Sequence, residues 1–94
     1  MTKQQYFLLA LMEECNELAQ VCSKAIRFGL DDFYDKHGKS NYELMVDELN
    51  DIVGVISALQ EEGVPIASIA ERIELKVMKL ERWDEYSKTK GCVE

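Results

Sequence analysis

The chain is expected to fold as an all-α protein: an antiparallel bundle of three main helices, with a possible short extra helix, assembled as an oligomer. Three observations carry that expectation. Apolar residues recur at helical spacing through three long blocks. Glycine, proline and a serine–glutamate pair punctuate those blocks where helices start and stop. No stretch shows the apolar–polar alternation of a half-buried strand, and no internal repeat is visible. With 94 residues the chain makes one domain, and a domain this small buries a modest core or completes it with further copies.

The first block runs from about Lys3 to Phe28 and stops at Gly29, a natural C-cap residue. "GLDDFYDKHGKS", from Gly29 to Ser40, reads as a polar connection with space for one short turn of helix. The second block opens on "SNYE", where Ser40 and Glu43 have the spacing of a capping box. It continues to Glu62 and stops at Gly63. Pro65 suits the first turn of a third helix, which is expected to reach about Tyr86. The tail from about residue 87, "SKTKGCVE", is expected to be flexible.

Charge narrows the function. Eleven basic against 18 acidic residues leave a net charge of −7, which argues against a nucleic-acid backbone or an anionic membrane as the main partner. No apolar run approaches membrane-spanning length and no secretory leader pattern opens the chain, so a cytoplasmic location is expected. Cys15, Cys22 and Cys92 show no paired spacing. Cys15 and Cys22 lie two turns apart on one helix face and read as small core residues.

The acids do not read as ordinary surface. Placed at about 100° per residue, Phe7, Leu11, Leu18, Cys22 and Ala25 form an apolar stripe on the first helix. Glu14 falls at its edge, Glu17 further out and Glu13 beyond that. On the second helix the stripe is Met45, Leu49, Ile52, Ile56 and Leu59, and Glu48 sits within it beside Leu44 and Val55. Asp51 lies about 60° to one side. Each helix thus carries an acid-x-x-acid pair, Glu14/Glu17 and Glu48/Asp51, aimed at the bundle margin, and i, i+3 neighbours share a face.

Packing the stripes together gathers four carboxylates, which repel one another and resist desolvation unless something positive compensates. Three sources of compensation are open: shared protons, the basic row Arg72, Lys76, Lys79 and Arg82 of the third helix, or a divalent cation. An all-oxygen ligand set suits magnesium, or manganese, better than zinc.

"EECNE" followed further along by "ELND" resembles E-E-x-x-E … E-x-x-D, the signature of the all-α nucleoside triphosphate pyrophosphohydrolases, the MazG-like superfamily. "EECNELAQVCSKAIRFGL" is similar to the first helix of small stand-alone members, and the resemblance covers roughly residues 8–83. It implies a magnesium-dependent hydrolase that cleaves nucleoside triphosphates between the α and β phosphates, releasing a monophosphate and pyrophosphate. It implies Glu14, Glu17, Glu48 and Asp51 as metal ligands, and a catalytic set of Glu13, Glu14, Glu17 and Glu48. In that set Glu13 matches the first motif glutamate, suited to a further ion or to orienting the attacking water. It also implies a homodimer or homotetramer with active sites near subunit interfaces. The chemistry fits such a set, because phosphoanhydride hydrolysis needs neutralised oxygens, an aligned water and a stabilised leaving group.

Candidate substrate contacts are Lys24 and Arg27, which end the first helix, and Lys76, Lys79 and Arg82, which look like the family's late basic run. The asparagine many members carry there has no counterpart around "KVMKLERW". Trp83, Tyr86, Phe28 and Tyr34 can stack a base or simply pack, and His37 is expected to be exposed. A carboxylate-bridged di-iron bundle would add Glu-x-x-His on two helices, and the single histidine lies outside both clusters. The alternative in a different class is a non-catalytic, metal-binding helical interaction module.

Overall fold

A computed structural model describes residues 1–34 and 38–94; His37 and the ring of Tyr34 lie outside the described residues. Helix α1 spans Lys3–Phe28. Its start is fixed by a capping box that the sequence reading passed over. The Gln5 N–H donates to the Thr2 hydroxyl at 3.1 Å, and the Thr2 N–H donates to Gln5 Oε1 at 2.8 Å. Its end is fixed at Gly29, whose φ of 100° favours a residue without Cβ.

Helix α2 spans Asn41–Glu61 and opens on the expected box. The Glu43 N–H donates to Ser40 Oγ, and the Ser40 N–H donates to Glu43 Oε1, each at 3.2 Å. The connection between α1 and α2 shows no extra helical turn among the described residues. It forms a two-residue antiparallel ladder, β1 (Phe33–Tyr34) and β2 (Lys39–Ser40), pairing Phe33 with Ser40 and Tyr34 with Lys39. Asn41, almost wholly buried, donates from Nδ2 to the Gly29 carbonyl at 2.9 Å. That bond ties the start of α2 to the end of α1. At the opposite end Lys3 pairs with Glu62 at 3.0 Å, and Gln4 Nε2 donates to the Glu62 carbonyl at 3.0 Å. The two helices are thus pinned antiparallel at both ends.

Helix α3 spans Ala70–Thr89, starting later than Pro65 and ending later than Tyr86. The reason for the late start is local. The Ile66 N–H closes a tight turn onto the Val64 carbonyl at 2.8 Å, and the Gln60 amide occupies the Ile66 carbonyl at 2.7 Å. That carbonyl would otherwise serve the first helical turn. Beyond Thr89, Gly91 takes a φ of 74° and the Cys92 N–H reaches back to the Ser87 carbonyl at 2.9 Å, capping the last turn.

Helix α3 makes no substantial packing contact with α1 or α2. Within one chain the bundle is therefore a pair, α1 on α2, with α3 set apart. The radius of gyration is 16.6 Å, where a compact chain of this length gives about 12 Å. Among the described residues, only Val21 and Leu59 are buried apolar residues. Leu49, expected in the core stripe, is 55% exposed, and Cys15 is exposed where a core position was expected.

By helical spacing α3 divides into three sectors. Ile69, Ile73, Val77 and Leu80 form an apolar stripe; Arg72, Lys76 and Lys79 flank it on one side, and Glu71, Glu74 and Glu81 on the other. All of these residues are exposed. No helix among the described residues is long and apolar enough to cross a membrane.

The small core makes individual positions decisive. Leu59→Ala, at the one large side chain fully buried among the described residues, should lower stability by about 2–4 kcal/mol. Ser40→Ala, which removes the α2 cap, should lower it by about 1 kcal/mol. Urea denaturation at fixed protein concentration measures both; a Leu59→Ala loss no larger than that of Ser40→Ala would place the core elsewhere.

Candidate functional site

The seam between α1 and α2 has two margins. Along one of them α1 presents Glu14 and Glu17 while α2 presents Glu48. One carboxylate oxygen from each of the three lies within 4.8 Å of the others. Asp51 lies outside this trio but lines the same groove as Glu14, together with Tyr6, Phe7, Asn50 and Val55. Glu13 is exposed and also outside the trio.

Acidic clusters are common on protein surfaces. This one is distinguished by two buried oxygens, Oε2 of Glu14 and Oε2 of Glu48, which have no hydrogen-bond donor. An acceptor withdrawn from water and left unpaired is costly. The carboxyls respond by holding protons. Burial, the hydrogen bond to Glu14 and the charge of Glu17 push Glu48 up to about 7 from an ordinary 4.5. Glu14 is also raised, chiefly by burial and despite the bond from protonated Glu48, with the charges of Glu17 and Asp51 adding to the rise. Glu48 therefore holds its proton into the neutral range, hydrogen-bonded to Glu14.

The basic candidates lie elsewhere. Lys24 lines a separate cleft with Phe28, Asp32 and Asn41 near the end of α1. Arg27 folds back on its own helix, its Nη2 donating to Ser23 Oγ at 2.8 Å. Lys76, Lys79 and Arg82 sit on α3, and among the described residues no ion pair joins them to the acids. Trp83 and Tyr86 meet edge-on at 5.4 Å and are exposed, as is Phe28.

Two residues near the site were missed. Asn41 fixes where α2 begins, and hence the axial level of Glu48. Asp47, beside Glu48 in sequence, is engaged by Lys39 at 2.6 Å on the loop side. The sequence cue for Asn41 was its place just after the Ser40 cap, a position where an amide can reach a neighbouring helix end.

Chemically, three clustered carboxylates with two unpaired buried oxygens can hold a proton or accept a hard cation through oxygen ligands. The proton state has a signature in stability. Between pH about 4.5 and 7 the folded chain binds more protons than the unfolded chain, so unfolding free energy should fall as pH rises through that window and level off above it. Glu48→Gln should flatten the slope. Thermal unfolding without divalent cations, followed across this range, provides the measurement, and an equal slope in the variant would place the titration elsewhere. Compared with protein-family models, with curated proteins and with solved structures, the chain matches none.

Proposed function

We propose that the chain is a magnesium-dependent nucleoside triphosphate pyrophosphohydrolase, with manganese as a substitute ion, acting as a homodimer or homotetramer. The single observation that carries the reading is the facing of Glu14 and Glu48 across the α1–α2 seam, with Glu17 beside them and two buried oxygens lacking donors. An all-oxygen donor set with two such unpartnered oxygens fits a hard divalent cation. Glu14, Glu17 and Glu48 would hold it, with Asp51 supplying a fourth carboxylate from the same groove. When bound, magnesium neutralises phosphate oxygens and acts as a Lewis acid.

The remaining work belongs to the chain. A glutamate of the cluster takes a proton from water as the water oxygen bonds to the α-phosphorus. The bond from that phosphorus to the α–β bridging oxygen breaks, and pyrophosphate leaves. Glu13, exposed and outside the trio, would serve a further ion or orient the attacking water. Lys24 and Arg27 end the same helix and supply positive charge for the polyphosphate. Lys76, Lys79 and Arg82 contribute if assembly carries α3 to the groove.

A non-catalytic, metal-binding interaction module draws support from α3, which keeps its cations away from the carboxylates in the isolated chain. Product analysis separates the two readings. Incubation with a nucleotide panel and magnesium should yield monophosphate and pyrophosphate, and Glu48→Gln should lower turnover at least about 100-fold while leaving the fold intact by circular dichroism. Orthophosphate as product, or no turnover by folded protein with any nucleotide, would reject hydrolysis between the α and β phosphates.

A further inference from the structure

The groove that Glu14 and Asp51 line continues past them along the seam, away from Glu17. The antiparallel pairing of α1 and α2 carries it by Ala10 and Gly54 to Tyr6, Phe7 and Ala58. Tyr6 stands about 12 Å before Glu14 along the helix axis, at about 1.5 Å of rise per residue. That reach is comparable to a sugar and a base in series. The groove holds about 440 Å³, the size of a site for one small molecule.

Its character changes along that length. Glu14 and Asp51 stand at one end, and beyond them no charged side chain lines it. Ala10 on α1 and Gly54 and Ala58 on α2 make its sides low. Gly54 is the telling position. It lies in the middle of α2 with no positive φ, and a Cβ built there would meet no atom within 4 Å. Neither the backbone nor a neighbour requires glycine, and glycine weakens a helix interior. What it supplies is room in the groove, one turn from the carboxylates. At the far end Lys3 lies over the Phe7 ring, 5.7 Å from its centroid. Tyr6, 60% exposed, is the ring left open to a ligand. In the opposite direction, beyond Glu17, the margin is charged, with Lys24 and Asp32 in the cleft near the end of α1. A ligand held at the carboxylates thus meets an uncharged, ring-lined groove on one side and a cation on the other.

We infer that this groove seats the nucleoside half of a nucleotide, with its sugar over Gly54 and its base on the Tyr6 ring, and that the outer phosphates point toward Lys24. The identification of the ring as a nucleobase rests on the hydrolase reading; the room at Gly54 and the open Tyr6 ring do not. Stacking on an aromatic ring suits any base, because every base has a π-face.

Equilibrium binding tests the seat without turnover. A nucleoside monophosphate and inorganic pyrophosphate, each titrated calorimetrically with magnesium present, differ in whether they carry a ring. Gly54→Leu, which fills the groove with a better helix former, should weaken monophosphate binding at least about tenfold and leave pyrophosphate binding unchanged. Tyr6→Leu, a second variant at an exposed ring, should weaken it at least about fivefold. In the unsubstituted protein the backbone amides of Tyr6 and Gly54 should shift in nitrogen-15 NMR spectra with the monophosphate. Unchanged affinity in both folded variants, shifts centred on Phe28 or Trp83, or no monophosphate binding at all overturns the inference. The two readings fail separately. Turnover with variant-insensitive binding rejects the seat alone, whereas variant-sensitive binding without turnover rejects the hydrolase and keeps the seat.

Discussion

Glu14 and Glu48 face each other across a seam that the surrounding residues hold shut. Asn41 fastens one end of the seam to the Gly29 carbonyl, and Lys3 and Gln4 fasten the other to Glu62. Leu59 and Val21 are buried between those ends. Those contacts keep the two carboxyls near each other, and the raised proton affinity of Glu48 comes first from burial in the seam, then from the hydrogen bond to Glu14 and the charge of Glu17. A helix pair free to slide would relax the strain by turning either carboxylate to water. Electrostatic tension is thus built into the fold and is released only by a positive charge.

The pair of helices acts as a plate with two unlike margins. One gathers acids and lines a groove; the other carries no charge at all. An acidic groove and an apolar margin make opposite demands on dielectric and hydration, and the two helices keep them apart. Helix α3 belongs to neither margin within one chain, which is why so little of the surface is removed from water.

Much of this was legible in the sequence, for reasons that were local. The Gly29 stop, the Ser40–Glu43 cap and the convergence of Glu14, Glu17 and Glu48 follow from i, i+3 and i, i+4 geometry. The position of Glu48 within an apolar stripe already implied a shielded oxygen. What escaped depended on tertiary contacts or on backbone turns of irregular kind. Nothing in the Pro65 signal reveals that the Gln60 side chain takes the Ile66 carbonyl and delays α3 to Ala70. An apolar stripe likewise does not say which neighbour covers it, so Leu49 and Cys15 read as core although they are exposed in the single chain. Asp51 shares the groove but not the tight trio, its side chain being one methylene shorter and starting farther round the helix.

The three sectors of α3 carry a directional consequence. When two such helices meet stripe to stripe and run the same way, the flank with Arg72, Lys76 and Lys79 on each faces the flank with Glu71, Glu74 and Glu81 on the other. Run in opposite senses, they set base against base and acid against acid. Each exposed pair is worth only a few tenths of a kcal/mol, too little to hold an assembly together but enough in sum to choose its polarity. Were two copies of this helix to meet along that stripe, these flanking charges would favour N-termini that point the same way.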